Sequence, residues 1–222
     1  MRELLQQLIV DSLAMPLPDF TRRDVQLPAV AGKAVAVVGM RRSGKTTFLW
    51  QCLADKLAAG VEREALLYLN FEDERLIGMQ ATDLQWIVED YYRLTPHLRD
   101  RQRVTFFFDE IQLVEGWERF ARRLIDTELA DLFLTGSSAR LLSREVATSM
   151  RGRALEVRVH PFSFRESLRH AGLEPQEPCA TWAKALRSEM DAHLRRYLTT
   201  GGFPEVQRAP VPVRRDLIRS YV

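Results

Sequence analysis

The sequence predicts an α/β fold, a parallel sheet covered by helices on both faces, and three observations carry that prediction. Apolar runs of strand length alternate with amphipathic stretches of helix length over the first 160 residues. Four of these runs are apolar almost throughout, the pattern of strands buried on both faces rather than one. The first run leads through a glycine-bounded loop straight into a helix, the connection that parallel strands require.

An opening helix, MRELLQQLIVDSL, and a lead-in occupy residues 1–30. Strands are expected at 34–38 (AVAVV), 65–70 (ALLYLN), 104–108 (VTFFF), 131–135 (DLFLT) and 154–159 (ALEVRV). The fifth alternates in polarity and is expected nearer an edge. Between them, the spacing predicts a helix over 46–59 with Phe48, Leu49, Cys52, Leu53 and Leu57 on one stripe, stopping at Gly60. Thr82-Asp83-Leu84-Gln85 reads as a capping box that opens a second helix carrying Leu84, Ile87, Val88 and Tyr91. A third is expected over 117–126 with Phe120, Leu124 and Ile125 inward. Beyond Pro161, PFSFRESLRHAG predicts a short helix ending near Gly172, EPQEPCA a linker, and 182–198 a longer helix. Gly201-Gly202-Phe203-Pro204-Glu205 reads as a turn. The last helix, from about Val213, meets no stop signal before Val222, which points to a chain cut within a larger protein.

Composition excludes several classes. No run approaches the roughly 18 to 20 apolar residues of a membrane span, and the opening helix is too polar for a signal peptide, so a cytoplasmic protein without membrane contact is expected. Cys52 and Cys179 have no Cys or His partner at metal spacing and read as buried free thiols. The four histidines form no ligand pair, so no metal beyond magnesium is expected. Residues 1–139 carry 17 basic and 21 acidic side chains, residues 140–222 carry 15 and 9. A basic C-terminal region fits an acidic partner, nucleic acid included, or simply arginines gathered around phosphate and on solvated faces.

The motif richest in chemistry is Gly39-Met40-Arg41-Arg42-Ser43-Gly44-Lys45-Thr46, followed by Thr47. It matches G-x-x-x-x-G-K-[ST] in the context the pattern needs, after a strand and opening a helix. Its glycines let backbone N–H groups approach phosphate oxygens, Lys45 reaches the β- and γ-phosphates of ATP, and the Thr46 hydroxyl ligates Mg2+. Of Arg41 and Arg42, one is expected to be merely exposed. At the end of VTFFF, Asp109 is placed on the magnesium and Glu110 as the base that orients the attacking water. That pair favours a hydrolase over a small-molecule kinase. Asn70 is the only asparagine, so no Asn-Lys-x-Asp element for guanine exists. Thr135-Gly136-Ser137-Ser138 ends the fourth strand beside the loop. It supplies a hydroxyl that senses the γ-phosphate, a cap for the helix SARLLSREVA, or both at once. Arg151-Gly152-Arg153 is either a solvated basic turn or the source of an arginine that touches the γ-phosphate, within the chain or across an oligomer interface. Asn70-Phe71-Glu72-Asp73 closes the second strand at the same edge, where Glu72 and Asp73 either help position magnesium water or a partner or are simply surface turn residues.

Taken in order, GMRRSGKTT, YLNFED, FFFDEIQLVEGWERFARRL, LTGSSARLLSREVATSMRGR, PFSFRE and GGFPE resemble the AAA-type predicted ATPases whose C-terminal half is the domain of unknown function DUF4143. The resemblance runs from about Val30 onward. It implies a P-loop NTPase core of the additional-strand class with sheet order 5-1-4-3-2, a small helical lid after the fifth strand, and a C-terminal domain beyond this chain. It places Ser137 as the sensor and Arg153 as the arginine finger, beside Lys45, Thr46, Asp109 and Glu110. Three regions follow: the helix and lead-in at 1–30, the ATPase core at 31–160, and at 161–222 the lid with the start of a truncated C-terminal region. The implied activity is Mg-dependent ATP hydrolysis coupled to a conformational change in a partner. The rivals are a nucleotide-dependent binding switch with little turnover and a DNA-associated ATPase. Candidate partners are a homo-oligomer and a nucleic acid or protein held by the missing domain.

Overall fold

The computed structural model describes residues 1–28, 32–136, 150–207 and 209–219. Among the described residues, β1 (Ala34–Val38), β2 (Leu66–Asn70), β3 (Val104–Asp109), β4 (Ala130–Thr135) and β5 (Ala154–Arg158) form one parallel sheet. Its order is β2-β3-β4-β1-β5, the order the resemblance implies, read from the other edge. Parallel strands put all their carboxyl ends on one edge. Because β4 lies between β3 and β1, the register sets Phe108 beside Leu134 and Val37 beside Thr135. The ends of those three strands therefore meet, and β1 is where connections diverge to either side.

The Phe106-Phe107-Phe108 run explains why the strands look uniformly apolar. Successive side chains alternate faces. Phe106 and Phe108 join one core with Leu67, Leu134, Tyr91 of α3 (Leu84–Leu94) and Trp117 of α4 (Trp117–Thr127). Phe107 joins the opposite core with Val37, Phe133 and Val157, under Phe48 and Leu49 of α2 (Lys45–Ala58). All three phenylalanines are fully buried, each contributing about 1.5–3 kcal/mol relative to an exposed position. Phe107 stacks on Phe133 at 4.9 Å between ring centroids. β5, at the sheet edge, is half exposed as its alternation predicts. The opening helix α1 (Arg2–Ala14) belongs to the first core through Leu5 and Ile9, and Arg2 Nη2 meets Asp90 Oδ1 of α3 at 2.7 Å.

Two expectations are corrected here. Thr82 caps nothing: the N-cap of α3 is Asp83, whose backbone is already helical (φ −76°, ψ −26°). The Asp83 carboxylate turns back to accept from Gln80 N at 2.9 Å. The helix starts one residue too late for the box to close. Cys52 is buried, and burial pushes its thiol up to about 12, but Cys179 is exposed in a 3-10 turn, Cys179–Thr181.

After β5 the described chain is helical: α5 (Phe164–His170), α6 (Lys184–Thr200), α7 (Pro204–Gln207) and α8 (Val211–Arg219). A full capping box opens α5, with Glu166 N donating to Ser163 Oγ at 3.2 Å and Ser163 N to Glu166 Oε2 at 2.8 Å. The Gly201-Gly202 turn docks on this entry, since Phe162 N donates to Gly202 O at 2.6 Å and Tyr197 Oη to Phe162 O at 2.7 Å. No helix among the described residues is long and apolar enough to cross a membrane.

Candidate functional site

The residue after β1 is glycine for a steric reason. A Cβ on Gly39 would stand 2.2 Å from the Val159 carbonyl oxygen just past β5. The loop then doubles back, with Ser43 N donating to Met40 O at 3.2 Å and Arg42 in left-handed backbone at φ +61°. Gly44, at φ +96°, is the N-cap of α2 and makes no side-chain cap, a conformation that costs glycine little. The first-turn N–H groups and the positive end of the helix dipole are thereby left to an anion in front of the loop.

The space in front is an open cleft of about 390 Å³ over the carboxyl edge of the sheet, lined among others by Arg42, Lys45, Thr46, Glu72, Glu110 and Glu205. Lys45 is 5% exposed, and its Nζ donates to Met40 O at 3.2 Å. Burial lowers its pKa, against the opposing pull of Glu110 and Asp109. Asp109 ends β3 at 1% exposure. Thr135 Oγ1 donates to its Oδ1, Tyr68 Oη to its Oδ2 at 2.8 Å, and Thr46 also hydrogen-bonds to it. Burial nevertheless raises the Asp109 pKa, the three hydroxyl groups only moderating the effect.

Glu110 sits at φ +57°, strain of a kind that accompanies functional positions and costs on the order of 1–3 kcal/mol. Its N–H donates to Thr135 Oγ1 at 3.0 Å and its Oε2 accepts from Gln112 Nε2 at 2.6 Å. Thr135 thus serves both acids at once. A hydroxyl and a carboxylate placed together beside the phosphate loop form the hard oxygen set that Mg2+ takes while keeping several waters. A carboxylate that burial disfavours is one that a cation there would stabilise.

The loop is braced from behind by residues that the sequence did not mark. Arg23, 5% exposed, donates from Nη1 to Ser43 O at 2.9 Å, from Nη2 to His160 O, and from Nε to Glu166 Oε1 at 3.0 Å. Its backbone is held by Gln51 of α2, which accepts from Arg23 N at 2.6 Å and donates to Arg23 O at 3.1 Å. Burial works against the charge on Glu166. Arg23 and the amides of Ser163 and Asp24 outweigh it and hold that carboxyl below its ordinary value. In front, Arg42 Nη1 meets Glu205 Oε2 at 2.6 Å, tying the loop to α7. A second cavity, of about 360 Å³, adjoins the loop at Gly44 and Thr47 and is walled by Phe20, Thr21, Phe162 and Pro204.

The structure therefore gathers Gly39 to Thr47, Asp109 and Glu110 around one cleft, with Glu72 at its rim. Arg41 and Arg42 are both exposed, Arg42 in its ion pair. Asp73 pairs with Arg75 at 2.8 Å. Ser137 and Ser138 lie outside the described residues. Arg151 and Arg153 do not reach the cleft of their own chain. Arg153 precedes β5, its carbonyl accepting from Ala34 N at the start of β1, so the length of a five-residue strand, about 16 Å, separates it from the loop. There it pairs with Asp126 at 3.1 Å, so of the two alternatives the one within its own chain does not fit this geometry. Thr135 had a visible signal, a hydroxyl ending an apolar run. Arg23, Tyr68 and Gln51 had none.

Two curated relatives are uncharacterised proteins. One, of Methanocaldococcus jannaschii, is 33% identical over 221 residues, 99% of this chain and 47% of its own length. The other, of Haemophilus influenzae, is 32% identical over 186 residues, 82% of this chain and 42% of its own. The chain thus spans less than half the length of these relatives. Among solved structures, PCH-2 of C. elegans aligns with 99% of this chain and 66% of its own at 13% identity and a TM-score of 0.49. The ORC1 protein of Aeropyrum pernix, in complex with DNA, aligns with 87% and 54% at 14% identity and a TM-score of 0.44. Likeness at that level bears on neither activity nor partner. The AAA domain model matches residues 31–168, most of the chain and the whole of the phosphate-loop sheet, and the chain belongs to the AAA domain family.

Proposed function

We propose that this chain binds ATP with Mg2+ and hydrolyses it, driving a conformational change in a partner. One observation carries the reading: a glycine-bounded loop, its lysine and threonine, and two consecutive acids at the end of β3 line or floor a single cleft. In this reading the Gly39–Thr47 loop wraps the phosphates, and Lys45 meets the β- and γ-phosphates. Thr46 and Asp109 hold the ion. When bound, Mg2+ neutralises charge building on the phosphate oxygens. Glu110 orients a water for in-line attack and accepts its proton as the bond from the γ-phosphorus to the bridging oxygen breaks. The walled cavity beside Thr47 takes the base.

Coupling is supported by the Arg42–Glu205 pair. Phosphate oxygens entering the cleft compete with Glu205 for Arg42, and α7 is released or re-aimed as they win. Ser137 as sensor and Arg153 as a finger acting on another copy complete the proposed cycle, and a further domain of the DUF4143 kind grips the partner. A second reading, an ATPase associated with DNA, draws on the surface where Arg119, Arg122, Arg123 and Arg153 surround a single acid, Asp126. Its mark is binding that weakens steeply as salt rises.

The test is Mg-dependent phosphate release from ATP by wild type, Lys45→Ala and Glu110→Gln over a range of protein concentrations. Turnover is expected to fall roughly 10²-fold or more in both variants. Only Lys45→Ala should lose ATP binding. No turnover in the wild type, with intact Lys45-dependent binding, would replace hydrolysis with the switch.

A further inference from the structure

Arg23 comes from the lead-in, far in sequence from every motif of the site, yet it is among the most buried charged residues described, with 3% of its side chain exposed. Its three donor positions go to three different segments: Ser43 O in the phosphate loop, His160 O past β5, and Glu166 at the entry to α5. The ring of Phe162 lies under the guanidinium at 4.9 Å. Gly44 is pressed against it, since a Cβ there would stand 3.1 Å from Nη1.

One of these contacts bears on phosphate binding through peptide geometry. The described chain contains no cis peptide bond, and in a planar trans peptide the C=O and the following N–H point in opposite directions. Holding Ser43 O toward Arg23 therefore turns the Gly44 N–H away from Arg23, and Gly44 lines the cleft as well as the cavity that Arg23 borders. A peptide free to rotate there would present its carbonyl to the anion in some of its conformations and repel it. An anchored one presents a donor in all of them.

Granting the nucleotide reading above, we infer that Arg23 is a positioning residue for the phosphate loop. It clamps the Ser43 carbonyl from behind so that the Gly44 N–H is aimed at the bound phosphate. Glu166 holds the clamp in place, fixing the guanidinium by its Nε while its own oxygens are spoken for by the Ser163 and Asp24 amides. Lysine cannot replace it, because one ammonium on a flexible stem does not span Ser43 O and Glu166 in the fixed geometry of the fork.

The experiment measures affinity for ATP and for inorganic tripolyphosphate, which has no base, in wild type, Arg23→Lys and the doubly neutral Arg23→Gln/Glu166→Gln. The double variant removes both charges so that neither is left buried alone. The Lys variant keeps the charge opposite Glu166 and decides the matter if the double variant does not fold. Thermal unfolding of each protein without ligand establishes which variants are folded at the temperature of the titration. Folded variants are expected to lose about tenfold or more in affinity, the order of one charge-assisted hydrogen bond, by the same factor for ATP and tripolyphosphate. A general loss of packing would not equalise the two ligands. Unchanged tripolyphosphate affinity in a folded variant overturns the inference, as does a loss confined to ATP, which would place Arg23 with the base cavity it also borders. Failure of wild type to bind either ligand would instead overturn the nucleotide reading.

Discussion

Asp109 and Lys45 are ionisable groups held where burial opposes their charged forms, the one raised and the other lowered from its ordinary pKa. For Asp109 the sign is that of a native state that binds the proton more tightly than the unfolded chain. Its contribution to stability therefore falls as pH rises from the ordinary value of 3.8 through the folded one, because ionising the buried carboxyl costs stability. Asp109→Asn removes the charge and is expected to stabilise the ligand-free protein by about 1 kcal/mol, or ~2–4 °C in Tm for a chain of this length. The same variant should lose the extra stabilisation that Mg2+ adds to ATP. Unfolding scans with no ligand, ATP alone and Mg-ATP read both effects, and an unchanged or lowered Tm of the ligand-free variant would mean that the three hydroxyl groups fully offset burial. At this scale the sequence revealed the loop residues and the acids, because motif and strand end are local. The hydroxyl groups that set the state of Asp109 were not legible. Tyr68 and Thr135 arrive from β2 and β4, 41 and 26 residues away, and only strand order brings them there.

Helix starts separate a real local signal from a false one. Ser163-x-x-Glu166 forms a box and Thr82-x-x-Gln85 does not, although both fit the pattern. At α5 the entry is held from outside: Phe162 by the Gly202 carbonyl and Tyr197, and Glu166 by Arg23. At α3 no comparable brace reaches Thr82 among the described residues, and Asp83 competes by bonding Gln80. Ser163→Ala should accordingly cost about 1 kcal/mol, whereas Thr82→Ala should stay within about 0.5 kcal/mol of wild type. Denaturant midpoints at constant m-value compare them, and equal losses would sink the distinction. The strands were read almost to the residue, since five apolar runs bounded by polar turns leave little freedom. The helix on the loop was read as one stripe, yet Trp50 and Gln51 are buried too. Trp50 packs on Tyr68 at 4.2 Å between ring centroids, and Gln51 binds the lead-in at Arg23, contacts that no helical period encodes.

Across the whole molecule the sheet has two edges of different chemistry. The carboxyl edge carries the loop, Asp109 and Thr135, and the opposite edge carries Arg153 with the α4 arginines. A finger role for Arg153 is therefore geometrically open only toward a second copy. Arg153→Ala is expected to leave ATP affinity unchanged and to abolish any rise of specific activity with protein concentration. Titration at low concentration and turnover across a concentration series test this, and a fall in the ATP affinity of the isolated chain would contradict it.

What the sequence determined by itself was local in origin: strand and helix positions, the parallel class, the phosphate loop with Lys45 and Thr46, and the acid that ends β3 with the one after it. Each rests on side-chain periodicity or on a motif whose parts are neighbours in the chain. The resemblance carried by the ordered motifs supplied the strand order, which the structure reproduces. What only the tertiary structure decided was pairwise and distant. It set Thr135 and Tyr68 on Asp109, excluded Arg153 from its own cleft, exposed Cys179, and put Arg23 behind the loop. The reason is that a buried polar group must find its partner wherever the packed chain supplies one. At residue 23 the partners are 20, 28, 137 and 143 residues away, beyond the reach of any pattern read along the sequence.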